Sequence, residues 1–100
     1  VFGSPLQRRV PEGMAMAEAF DQAVAVFRKL GDAAAAADTR IAIEANPAAY
    51  GTNFCTTLDQ ALAFIDLVAH PAVVPHLDLG AMHMNGDFAG VPGRLPALAP

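Results

Sequence analysis

Apolar residues recur at two different periods along this 100-residue chain, and the alternation between them sets out its elements. Ala17, Phe20, Val24, Phe27, Leu30 and Ala34 return every three or four positions, which draws one buried stripe along a long helix introduced by Pro11, Glu12 and Gly13. Gly31 interrupts that stripe at a cost of about 1 kcal/mol relative to alanine, so the alanine run 33–37 reads as a second segment ending near Asp38. From Arg40 to Asn46 the period falls to two: Ile41 and Ile43 point one way, Ala42 and Glu44 the other. Asn46 and Pro47 stop this strand. A loop over 48–55 leads to Thr57, which stands three residues before Gln60 in capping-box spacing. Leu58, Ala61, Leu62, Ile65, Val68 and Ala69 form the apolar face of the helix that follows, and His70-Pro71 ends it. A last strand spans Val73 to Leu79, with Val73 and Leu77 opposite His76 and Asp78. Pro75 sits awkwardly there, because it cannot donate to a ladder.

Val1 and Phe2, broken by Gly3-Ser4-Pro5, read as the end of an earlier strand. The order is then strand, helix, strand, helix, strand, which implies an α/β fold with parallel strands and crossover helices. Three strands under one layer of helices leave a sheet face and two edges uncovered, so the chain reads as part of a larger structure. It also begins directly on strand-forming residues, without a start methionine. Residues 85–100, rich in glycine and proline and without helical period, read as loop or disordered tail. The expected division is a partial α/β unit over 1–87 and a loop or disordered tail over 88–100.

Composition narrows the function classes. A formal net charge of -4 leaves no basic surplus for phosphates, and Arg8-Arg9 alone makes no patch, so nucleic acid is not an expected partner. No apolar run reaches membrane-spanning length, and the N-terminus has no secretory pattern. The single cysteine, Cys55, excludes an internal disulfide and fits a reducing, cytoplasmic setting. It precedes a helix start, but no partner histidine is evident.

Glu44 and Asp78 carry the candidate chemistry. Both lie at the carboxyl ends of expected parallel strands, where such sheets collect their active groups, and they share the inward parity. One βαβ unit apart, they are expected side by side at one level. Two close carboxylates repel unless a cation lies between them, and a hard divalent ion would supply that charge. A strand-end carboxylate also commonly caps the next helix or sits solvated in a loop, and spacing alone leaves these readings open.

The stretches Ile41-Ala-Ile-Glu-Ala-Asn-Pro47, Tyr50-Gly-Thr-Asn-Phe54 and His76-Leu-Asp-Leu-Gly-Ala81 resemble the xylose isomerase-like sugar phosphate isomerase/epimerase superfamily. The resemblance covers residues 1 to about 87. It implies a fragment of a (β/α)8 TIM barrel, from the end of the fourth strand to just past the sixth. It also implies that Glu44 and Asp78 are metal ligands, with Glu44 in addition moving a proton next to a carbonyl. Mn²⁺ or Mg²⁺ is the implied metal, with Zn²⁺ or Co²⁺ as alternatives, held weakly or not at all by this stretch alone. A sugar or hydroxy-carbonyl compound is the implied substrate. The family often carries a histidine three residues after the second carboxylate, where this chain has Ala81; His83 is the substitute candidate for substrate contact. Two further ligands and a second proton-transferring carboxylate are expected beyond Pro100. The alternatives are a non-catalytic remnant that associates with copies of itself through open strand edges, and a metal-dependent endonuclease on the same barrel. His76 is expected one layer deeper than Asp78 as a hydrogen-bonded core residue. Arg8 is expected in a solvated loop rather than on a phosphate or a substrate hydroxyl, and Asn46 and Asn53 read equally as hydrogen-bond partners of a sugar or as turn formers.

Overall fold

The computed structural model describes residues 4–93. Helix α1 (Met16–Ala36) is followed by strand β1 (Ile41–Glu44), helix α2 (Leu58–Val68), strand β2 (Val73–His76) and helix α3 (Leu79–Asn85). Short 3-10 turns occupy Pro5–Gln7, Ala48–Tyr50 and Asp87–Gly90. The strand expected at Val1 and Phe2 lies outside the described residues, as does the tail from 94 onward.

β1 and β2 pair in parallel, with Ile41 beside Val73 and Glu44 beside His76. The amide of Ile41 donates to the carbonyl of Ala72. In a parallel ladder successive residues face alternate edges, so Val74 and His76 turn their amides toward β1 while the ring nitrogen of Pro75 faces the outer edge. Proline is tolerated there because no ladder bond is lost to β1.

α1 runs unbroken through Gly31 rather than stopping there. A glycine stands there because of a close approach: a Cβ on Gly31 would lie 2.6 Å from Cγ and Nδ1 of His70. That ring is fixed from two sides, since Ala72 N–H donates to Nδ1 at 3.0 Å and Nε2 lies 3.0 Å from Asp32 Oδ1. Its Nδ1 is therefore an acceptor, which assigns the proton to Nε2. The end of α1 is closed by Asp38 in the left-handed region (φ 52°), with Thr39 N–H returning to Ala34 O and Asp38 N–H to Ala35 O. This is the Schellman arrangement, with aspartate where glycine is commoner.

Thr57 caps α2, accepting the Gln60 amide at 3.3 Å. The reciprocal half of the expected capping box shifts by one residue, because Gln60 Oε1 accepts from the Thr56 amide at 2.9 Å. At the other end Arg28 of α1 donates to the carbonyls of Val68 and Leu67, at 3.0 and 2.9 Å. These are the carbonyls that a helix C-terminus leaves unpaired, and a cation is favourable beside them.

The core lies between the helices and one face of the strands. Ile43, Cys55, Ala61, Phe64, Val68 and Val73 are buried together, with Phe20, Val24, Phe27 and Phe54 packed against them. Phe64 is fully buried and meets Phe20, Phe27 and Phe54 at ring-centroid distances of 5.7, 5.4 and 5.3 Å, all edge-on. Each such contact contributes about 0.5–1.5 kcal/mol beyond area burial.

The last expected strand is shorter than its sequence pattern suggested. β2 ends at His76, and Asp78 starts α3 by accepting the Ala81 amide at 2.8 Å. Gly86 closes α3 in the left-handed region at φ 70°. The start of the stretch expected as loop or tail makes specific contacts: Asn85 donates to Thr56 O at 2.7 Å, and Asp87 Oδ2 accepts the Leu58 amide at 3.4 Å. Both contacts fasten the end of α3 onto the start of α2. Among the described residues no helix is long and apolar enough to cross a membrane.

Candidate active site

Glu44 is the last residue of β1, and strand alternation sends its side chain to the face opposite Ile41 and Ile43. That face carries no helix among the described residues, and the carboxylate keeps 32 % of its side-chain surface. The following turn holds it from one side. Asn46 is buried, its amide donates to Cys55 O at 3.1 Å, and its Nδ2 lies 3.5 Å from Glu44 Oε1. From the other side comes His76, whose Nε2 is 3.7 Å from Glu44 Oε2.

This corrects two expectations. His76 is not a core residue one layer deeper but the register partner of Glu44, with 55 % of its side chain exposed. Asp78 does not stand level with Glu44: it lies two residues beyond that partner, and its Oδ1 serves as the α3 cap. The cap reading of a strand-end carboxylate thus applies to Asp78 and not to Glu44. His83 rides exposed on α3, with its ring 6.2 Å from that of Phe88. Among the described residues no three His, Cys, Asp or Glu side chains converge to hold a metal ion.

Arg8 is not a solvated loop residue either. Its Nη2 donates to the Glu44 carbonyl at 2.7 Å. Its own carbonyl accepts the hydroxyl of the buried Thr52. Asn53 adds two bonds beside it, accepting the Val10 amide at 2.7 Å and donating to Val10 O at 3.3 Å. The loop before α1 is thereby stapled to the loop after β1, where the sequence left Asn53 between a sugar contact and a turn-forming role. Next to this staple a cleft of about 640 Å³ is lined by the loop from Arg9 to Met14, by Met16 and by Asn53, and not by Glu44 or His76.

Cys55, 1 % exposed, lies under the same loop. Burial pushes its thiol up to about 11, an effect that the nearby positive charge of Arg8 partly opposes. A thiol held protonated at neutral pH is a poor nucleophile and a poor metal ligand, so Cys55 belongs to the core rather than to the chemistry.

The site therefore brings a carboxylate and an imidazole together at the carboxyl ends of two parallel strands, with a second carboxylate on the turn just beyond. This is where parallel α/β structures carry their chemistry. No curated protein and no solved structure matches the chain significantly. Residues 1–97 match the model of the xylose isomerase-like TIM barrel family. At the level of the superfamily this match supports a sugar isomerase, an epimerase or a related enzyme. With nearly the whole chain matched, and with parallel strands joined through a helix, the chain belongs to the xylose isomerase-like TIM barrel family.

Proposed function

We propose that this chain supplies part of the catalytic centre of a divalent-metal-dependent sugar or sugar-phosphate isomerase/epimerase, with Glu44 as the proton-transferring group. The observation that supports this most is the placement of Glu44 on the uncovered strand face, half-exposed and steadied by Asn46 and His76. A base that takes a proton from carbon must be reachable by substrate and held in a fixed direction. Glu44 meets both conditions. It would take up or deliver the proton next to the substrate carbonyl, with the opposite transfer made by a second carboxylate from outside this chain.

The donor set agrees in kind with a hard divalent ion, but two carboxylates and an imidazole that do not converge are too few to enclose one. Glu44 and Asp78 are proposed as two of the ligands, the others coming from outside this chain. When bound, the ion would polarise the substrate carbonyl. The 100 residues alone are accordingly proposed to be inactive.

Titrating the chain with Mn²⁺ while recording NMR line widths tests this reading. Broadening should begin only at millimolar metal, centre on Glu44, His76 and Asp78, and disappear in Glu44→Gln, with no ketose epimerisation at any point. Broadening centred elsewhere, or insensitive to Glu44→Gln, would overturn the assignment of the metal. Robust turnover by the isolated chain would overturn its proposed inactivity.

A further inference from the structure

We propose that Arg8 is a positioning residue for Glu44: it fixes the backbone at the tip of β1 so that the carboxylate meets Asn46 and His76. The inference rests on the reading of Glu44 given above and deepens it. Ile41 and Ile43 turn their backbone groups toward β2, so Ala42 and Glu44 turn theirs toward the opposite edge. At that edge the Glu44 carbonyl receives a guanidinium N–H at 2.7 Å. A charge-assisted bond of this length holds the peptide plane between Glu44 and Ala45 more firmly than a neutral donor would.

The backbone that carries this guanidinium is itself held in place. Arg8 N–H donates to the Ser4 and Pro5 carbonyls, both at 3.2 Å, and Arg8 O accepts from Thr52 Oγ1. Thr52 in turn accepts the Phe54 amide at 3.3 Å. A chain of bonds thus runs from the core-packed Phe54 through Thr52 and Arg8 to the carbonyl of Glu44. Glutamate has three side-chain torsions, so its carboxylate is directed only if the backbone below it is fixed as well as its oxygens. Arg8 supplies the backbone restraint, and Asn46 and His76 restrain the oxygens.

The test uses the full 100-residue chain and needs no metal. The NOE between the Glu44 side chain and the His76 ring is measured in Arg8→Met and Arg8→Lys, with the Phe64 ring signals as control for the core. Arg8→Met should weaken the NOE at least twofold while the Phe64 signals stay in place, and Arg8→Lys should restore most of it. An undiminished NOE in a folded Arg8→Met variant would overturn the proposal. Should Arg8→Met not fold, Thr52→Val decides, because it keeps the guanidinium but releases the Arg8 carbonyl. A weakened NOE there supports the role, and an unchanged one refutes it. An NOE that depends on Arg8 without Mn²⁺ broadening in the unsubstituted chain supports Arg8 and sinks the metal reading. Broadening with an NOE indifferent to Arg8 does the reverse.

Discussion

On one face of β1 and β2, Ile43 and Val73 are 5 % and 3 % exposed beneath α1 and α2. On the other face of the same strands, Glu44 and His76 keep 32 % and 55 % of their side-chain surface. The first face is apolar, edge-packed by phenylalanines and closed by helix caps. The second carries a carboxylate and an imidazole, tied down only at the edges by Asn46 and Arg8. Four-residue strands therefore serve two ends at once, because alternation assigns odd and even positions to different environments. Cohesion comes from the helix side, and the other side is the one to which the proposed chemistry is assigned.

The comparison breaks first, if it breaks, at Phe64. Truncating this fully buried ring to alanine leaves a cavity among three other rings, and urea unfolding should show a loss of about 3–5 kcal/mol. A loss under about 1 kcal/mol would mean that the helix side is not where stability resides.

The next effect is pH-dependent. The folded-state thiol of Cys55 titrates near 11 against an ordinary value of 9.0, because burial disfavours the thiolate. The folded chain therefore binds this proton more tightly than the unfolded chain, and stability must fall as pH rises through that window. The contribution is fully present below pH 9 and amounts to roughly 2–3 kcal/mol. Urea unfolding at pH 8 and pH 10.5 should show the decline, and Cys55→Ala should flatten it. An equal decline in Cys55→Ala would assign the effect to other groups.

The smallest effect sharpens the contrast. Glu44→Gln keeps the shape of a half-exposed side chain and should change stability by no more than about 0.5 kcal/mol in the same urea assay. A cost near that of the Phe64 substitution would show that the open face is part of the folding core after all.

Much of the helix side was legible in the sequence. Parity separated Ile41 and Ile43 from Ala42 and Glu44, and the threonine before Leu58 marked a helix start. Phe64 escaped the apolar face drawn for α2 because that helix is covered by both α1 and the sheet, which widens its buried arc beyond one stripe. The site was less legible. Which residue stands beside Glu44 depends on strand register, and register depends on how α2 and its turns return the chain to Val73. Asp78 and His76 share parity, so the pattern alone did not choose between them. The cap geometry of Asp78, with Ala81 three residues on, is the local signal that shortens β2. Arg8 contacts Glu44 across 36 residues of sequence, and no local pattern encodes such a contact.

The staple between the loops has a consequence for the order in which the molecule assembles. Its bonds join Val10 to Asn53 across 43 residues. Closing a flexible loop of that length costs about 3 kcal/mol in chain entropy. The staple's three hydrogen bonds, at about 1 kcal/mol each, return no more than that. The staple therefore cannot nucleate the fold. It closes once α1 has packed and shortened the path between its ends, and it opens before the core does. The rim around Glu44 is in this sense the last part of the molecule to form and the first to loosen.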